Sequence, residues 1–342
     1  MEKNSKNNKR IPSGFSADDT EKRIEWLKEK TGIHLDETPI NEPEDLKGII
    51  ENHVGFMPIP MGIAGPLLID GEYAKGEFTV PICTLEGTLA ISMSRGMFAS
   101  TLSGGISTQY IKQELSRAPV FIFNSLKESS EFMKWIDTHL EEIKKAPESS
   151  TNYGKLLRID QYPIQNYVVI DMVLDTGNAA GQNMVTLAAK LACDYIQNNT
   201  GYKYILESGF NSDKKASSKT MIMGRGHSVI SETTLKHSVL KRILGIHLDE
   251  VDIFQQVAPT VTNMAGTTGC HLHISNALTA IYLATGQDTA CVEENSIGHF
   301  QTDPAEDGLK CRLTLPSITV GTVGGGTRLL PQQKNLEPER SQ

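Results

Sequence analysis

The chain has 342 residues, enough for two or three domains around a substantial core. Its net charge of −8 argues against nonspecific nucleic-acid binding, and no apolar run reaches membrane-spanning length. Five scattered cysteines without CxxC spacing read as reduced, mostly buried thiols of a cytoplasmic protein.

The polar start MEKNSKNNKR lacks the apolar core of a signal peptide and reads as disordered. Ser16 to Lys30 reads as a helix, capped by Ser16, Asp18 or Asp19 and ended by Gly32, with Ile24 and Leu27 on one face. Residues 35–50 read as a linker with a short helix. From Gly55 to Pro81, Gly, Pro and β-branched residues alternate as in turns and strands. The small-residue stretch 85–115 reads as a central helical segment suited to close packing.

Near Asn124 the texture changes. A charged amphipathic helix places Phe132, Ile136, Leu140 and Ile143 on one side. A strand, Tyr167 to Leu174, a turn at Asp175–Gly177 and a helix, Gln182 to Gln197, follow. Residues 124–206 therefore read as an inserted α+β domain. The apolar stretch 271–285 predicts a helix ending at Gly286, and GTVGGGT (321–327) a glycine-rich strand and turn.

Three segments carry the chemistry. Glu86 is the one acid in the uncharged run from Val80 to Met93. Such an acid is either paired, with Arg95 or Lys75, or buried, which raises its pKa and makes it a proton donor near neutrality. SDKK (212–215) supplies Lys214 in a polar loop, where charged residues are ordinarily solvated. Asp288 follows an apolar helix and Gly286, where an Asp commonly caps the next helix. Together a Glu, a Lys and an Asp form a reductive set. The Lys stabilises an oxyanion, the Glu supplies a proton and the Asp tunes both.

Around Gly181 to Asn183 the chain turns from strand to helix with free backbone amides, which suit a pyrophosphate, although the GxGxxG fingerprint is missing. Gly324, Gly325 and Gly326 let a backbone approach a ligand closely. On its own, either segment reads first as an ordinary turn. His271 and His273 diverge at i, i+2 on a helix, which argues against a metal, whereas His273 and Asn276 share a face.

The segments ENHVGFMPIPMGIAGPL, TLEG, SRAP, AAGQNM, SDKK, ALTAIYLATGQD and GTVGGGTRLLPQQ, in this order between Glu51 and Gln333, resemble the 3-hydroxy-3-methylglutaryl-CoA (HMG-CoA) reductase family, in its SDKK-bearing, NADPH-using class. The resemblance implies an α/β (α+β) fold. A large substrate domain (51–123 and 207–333) would carry an inserted ferredoxin-like nucleotide domain (124–206), flanked by an N-terminal region (1–50) and a short tail (334–342). It implies two reductions of HMG-CoA, or of a related acyl-CoA, to mevalonate and CoA. NADPH, or NADH, would be the reductant, no metal would take part, and homodimers would hold active sites at the subunit interface. Carried over, Glu86 is the proton donor, Lys214 the oxyanion stabiliser and Asp288 the tuning carboxylate. Ser208, Asp213, Lys215, His273 and Asn276 bind the acyl group or support that set. Asn178, Gly181, Gln182, Asn183 and Met184 bind the cofactor with Gly324–Gly326.

Four positions depart from the family pattern. A His on a helical segment beyond LPQQ has no counterpart in KNLEPERSQ, for which no helix is expected. Ile122 stands where an Arg grips the distal carboxylate. Asn178 replaces an Asp at the start of the cofactor loop, and Gln165 an Arg expected at the 2′-phosphate. These departures keep two alternatives open: an impaired homologue that binds CoA esters or pairs with an active subunit, and a reductase for another acyl thioester.

Overall fold

The computed structural model describes residues 10–12, 14, 16–32, 41–148 and 154–336. Most of the N-terminal tail, the first part of the expected 35–50 linker and the last six residues lie outside them. The first helix, α1 (Ala17–Thr31), is closed by a reciprocal capping box between Ser16 and Asp19 and by Gly32 in the left-handed region. A short 3₁₀ turn, Pro43–Leu46, follows.

Strands β1 (Met61–Gly71) and β2 (Lys75–Cys83) pair antiparallel. Helix α2 (Leu89–Leu102) packs on them through Leu89, Ala90, Met93 and Met97. The helix ends there, not near residue 115 as its composition suggests. Gly104 and Gly105 both take positive φ, and the alternating ISTQYIKQELSR becomes β3 (Ile106–Arg117). This strand spans about 40 Å at ~3.3 Å per residue. Its first part pairs with β1 and β8 (Arg225–Lys236), its last residues with β6 (Tyr167–Asp175). One strand thus threads two sheets.

The sheet of β6 continues through β4 (Val120–Ile122), β5 (Lys155–Ile164) and β7 (Tyr204–Ile205). Its core face packs against α3 (Leu126–Thr138), α4 (Leu140–Glu148) and α5 (Gln182–Thr200). Phe132, Ile136 and Ile143 are buried as their periodicity predicts, although His139 splits the amphipathic stretch into two helices. Alternation along β6 sends Val168, Ile170, Met172 and Leu174 into this core.

The other sheet runs from β8 to β11 (Gly308–Ile318), β10 (Gly298–Ala305) and β9 (Gly269–Cys270). Around it lie α6 (Ser218–Met223), α7 (His237–Val239), which runs into a π turn, α8 (Leu248–Met264), α9 (Ile274–Thr285) and α10 (Val292–Asn295). The mixed α/β class expected from the sequence is the one observed. The chain also forms α11 (Leu330–Leu336), whose last three residues open the KNLEPERSQ segment, where no helix was expected. Asn41 accepts from the Leu330 N–H, and Asn335 donates to the Ala284 carbonyl of α9 at 2.7 Å. Capping and docking on α9 thus hold this short helix. Among the described residues no helix is long and apolar enough to cross a membrane.

Candidate active site

Two loops bring Lys214 and Asp288 together. The SDKK loop folds tightly, with Ser212 and Lys214 at positive φ. Gly286 ends α9 in the left-handed region and turns the chain so that Asp288 faces that loop. The Lys214 Nζ lies 2.8 Å from Asp288 Oδ2. Asp288 Oδ1 accepts from the Ala290 N–H at 3.0 Å and caps the 3₁₀ turn Thr289–Cys291. Capping and ion pairing therefore use different oxygens of one carboxylate.

The bond to Asp288 raises the Lys214 pKa above its ordinary value. Burial pushes Asp288 up, but bonds from Lys214 and Ala290 outweigh it and hold the carboxyl below the usual range. Burial pushes the neighbouring Cys291 thiol up to about 12, so it stays protonated. The pair is charged across the neutral range. At 43% and 45% side-chain exposure it remains open to an incoming ligand.

Both glycine-rich segments converge beside this pair. The Thr322 N–H donates to the Asn178 carbonyl at 2.8 Å, and Ala179 forms a parallel bridge with Val323. Gln287 clamps Gly321 through two 2.9 Å bonds, one from each end of its amide. A Cβ on Gly286 would meet the Gly326 carbonyl at 2.3 Å, so the two backbones touch where no side chain fits. GTVGGGT is thus a bridge followed by a 3₁₀ turn, Gly325–Arg328, rather than a strand and turn. Gly181 begins α5 at φ 85° and no side chain caps this end, which leaves its first amides without a side-chain acceptor. A Cβ there would strike Thr176 at 2.4 Å.

Glu86 departs from expectation. It is exposed in the loop between β2 and α2, not buried, and neither Arg95 nor Lys75 pairs with it. Lys75 pairs instead with Asp70. Glu86 accepts from Asn276 Nδ2 at 3.3 Å, at the N-terminal turn of α9. Asp288 follows the other end of that helix, which is about 18 Å long at 1.5 Å per residue. Within one chain, Glu86 does not join Lys214 and Asp288.

His273 is also placed differently. It is the left-handed N-cap of α9 (φ 48°), so it precedes the helix it was expected to share with Asn276. Its carbonyl accepts from the Asn276 N–H at 3.1 Å. Ser208 donates to the Ala118 carbonyl at 2.5 Å, and Lys215 Nζ to the Asp213 carbonyl at 3.0 Å. Gln165 sits in the β5–β6 turn, whereas Asn178 follows the far end of β6. About 30 Å of strand separates them, so Gln165 does not flank the loop that begins at Asn178. Among the described residues no group of three His, Cys, Asp or Glu side chains could hold a metal.

A buried ionic network behind the loops was not anticipated. Arg225 and Glu294, both with almost no exposed side chain, pair at 2.9 Å. Arg225 also donates to Gln182 Oε1 (2.7 Å), the Ser116 carbonyl (2.9 Å) and Asp213 Oδ1 (3.2 Å). Glu294 accepts from the Lys214 N–H (2.6 Å) and the Thr319 hydroxyl (2.6 Å). Asp213 is engaged on its other side by Arg117, which also meets Glu207 and Thr186. Asp213 and Gln182 thus spend their side chains inside the protein. The one sequence signal was an acid within CVEENSIG, and EE on a short helix ordinarily reads as a solvated face.

The hydroxymethylglutaryl-coenzyme A reductase family model matches residues 19–338. The 3-hydroxy-3-methylglutaryl-coenzyme A reductase of Aeropyrum pernix is 37% identical over 318 residues, which cover 91% of this chain and 75% of that protein. The Methanocaldococcus jannaschii protein of the same name is 36% identical over 329 residues, covering 93% and 81%. In fold, the chain is similar to the class II reductase of Streptococcus pneumoniae, with a TM-score of 0.72 at 18% identity over 92% of this chain and 88% of that one. With the family motifs seated on the loops that meet at Lys214 and Asp288, the chain belongs to the hydroxymethylglutaryl-coenzyme A reductase family.

Proposed function

We propose that this protein reduces HMG-CoA twice, through a hemithioacetal and an aldehyde, to mevalonate and free CoA. The meeting of the Lys214–Asp288 pair with both glycine-rich loops carries the reading. Lys214 donates to the substrate carbonyl oxygen as negative charge grows there. Asp288 keeps the ammonium protonated and fixed. The uncapped start of α5, with Gly181 leaving room for close approach, fits a dinucleotide diphosphate. When bound, the reduced nicotinamide supplies the hydride. NADPH is the preferred donor in this reading, and the streptococcal protein of similar fold is bound to NADPH.

Glu86 supplies the proton from a second protomer. Its distance from Lys214 along α9 and the exposure of Leu85 (85%) and Met57 (88%) support a homodimer whose sites are completed across the interface. Residues 124–206 form the nucleotide domain and 51–123 with 207–333 the substrate domain of a cytoplasmic enzyme. Exposed Ile122, opposite Tyr167 on β4, favours a second reading, a thioester without a distal carboxylate.

The test follows loss of reduced-nicotinamide absorbance with HMG-CoA, mevaldehyde and a carboxylate-free acyl-CoA, with NADPH and NADH in parallel. Turnover of HMG-CoA and mevaldehyde with NADPH is expected. Turnover of the carboxylate-free thioester alone would replace the first reading with the second. No turnover of any substrate, with tight CoA-ester binding by titration calorimetry, would overturn both. A Lys214→Ala protein with full activity would remove Lys214 from its role.

A further inference from the structure

We propose that Glu294 is the positioning residue for Lys214. The inference rests on Lys214 acting as the oxyanion donor and concerns what holds it there. Lys214 sits at φ 55°, a conformation that side-chain-bearing residues rarely adopt unless the surroundings impose it. Its N–H points inward to Glu294 Oε2 at 2.6 Å. Glu294 is itself fixed on every side. Arg225 donates to the same oxygen at 2.9 Å, while Thr319 (2.6 Å) and Gln182 Nε2 (3.4 Å) donate to Oε1. A charge-assisted bond donated by the backbone N–H of an exposed lysine to a fully buried carboxylate pins the main chain without engaging the ammonium. That backbone then sets where Nζ lies, 2.8 Å from Asp288.

The partners of Glu294 come from four elements: the SDKK loop, β8, the chain leading into GTVGGGT and the first turn of α5. Glu294 itself stands six residues after Asp288 in a segment begun by the Asp288 cap. Lys214 and Asp288 are thereby registered to one rigid point, with the proposed nucleotide loop attached through Gln182. A misplacement of about 1 Å in such a group can cost a hundredfold in rate.

The test is Glu294→Gln in the full-length protein, assayed with mevaldehyde and NADPH beside wild type and Lys214→Ala. Lysine acetylation at pH 8 gives the second readout, with Lys215 as internal reference. The expected result is a kcat at least tenfold lower, KM values within about threefold of wild type, and Lys214 acetylated at least threefold faster relative to Lys215, because the ammonium has left Asp288. A merely structural Glu294 would lower the yield of folded protein and leave kcat per folded site and Lys214 labelling unchanged, which would overturn the proposal. If Lys214→Ala is fully active, the role of Lys214 itself falls. If Lys214→Ala is dead while Glu294→Gln matches wild type, only the inference about Glu294 falls. Should Glu294→Gln not fold, backbone hydrogen exchange of wild type decides. Strong protection of the Lys214 amide supports the proposal, and exchange at the rate of an exposed loop overturns it.

Discussion

Lys214–Asp288 and Arg225–Glu294 have similar separations, 2.8 and 2.9 Å, and opposite surroundings. The first pair is almost half open to water, the second is sealed. Water weakens the attraction in the open pair, so it adds little to stability and its charges stay available to a ligand. The sealed pair has given up its hydration and is worth keeping because further hydrogen bonds surround it: Gln182, the Ser116 carbonyl and Asp213 on the arginine side, and the Lys214 N–H, Thr319 and Gln182 on the glutamate side. In the proposed reading the open pair does the chemistry, and the sealed pair decides where that chemistry stands.

Substitutions should separate the two. Arg225→Met leaves Glu294 charged and buried without its cation, and should cost about 3–5 kcal/mol in a urea denaturation midpoint. A loss below about 1 kcal/mol would show that water reaches the network. Lys214→Ala should do the reverse. Turnover should fall by roughly 10²–10³, as for loss of an oxyanion donor, while stability changes by less than about 1 kcal/mol. A matching loss of stability would merge the two pairs into one structural unit.

Gly181→Ala tests the proposed cofactor loop alone. Its positive φ and the 2.4 Å approach to Thr176 should raise the nicotinamide KM roughly tenfold or more and leave the KM for the acyl substrate near wild type. Equal changes in both constants would detach the start of α5 from nucleotide binding.

The smallest effect concerns pH. Burial lowers the His227 pKa, although a bond to Val320 and the charge of Asp175 act the other way. Its Nδ1 lies 3.1 Å from the Tyr110 hydroxyl. A base with a lowered folded pKa stabilises fully above its unfolded value of about 6.5. That stability drains as pH falls below 6.5, since the unfolded chain takes up the proton first, and levels off below the folded pKa. Melting temperature should therefore drop between pH 7.5 and 5, and His227→Gln should flatten part of the drop.

The sequence was most informative where function demands unusual residues in fixed order. SDKK, GQD and the two glycine-rich segments were identifiable one by one, and the fold brings all four together. Capping, periodicity and glycine punctuation also located α1, β6, α5 and the end of α9 to within a few residues. What stayed hidden depends on contacts remote in sequence. Glu86 read as either paired or buried because its neighbours are small and uncharged, yet the loop that carries it faces outward from a single chain. Glu294 gave no distinguishing signal in the sequence, because its partners Arg225 and Thr319 lie 69 and 25 positions away. The α11 helix was missed because its support comes from α9 and Asn41, not from its own propensities.

The division of labour within the Asp288 carboxylate makes this position a place where chemistry and architecture can be uncoupled. Asparagine caps as well as aspartate does but carries no charge. Asp288→Asn would keep the Thr289–Cys291 turn while releasing the ammonium of Lys214, a separation-of-function allele in a single atom.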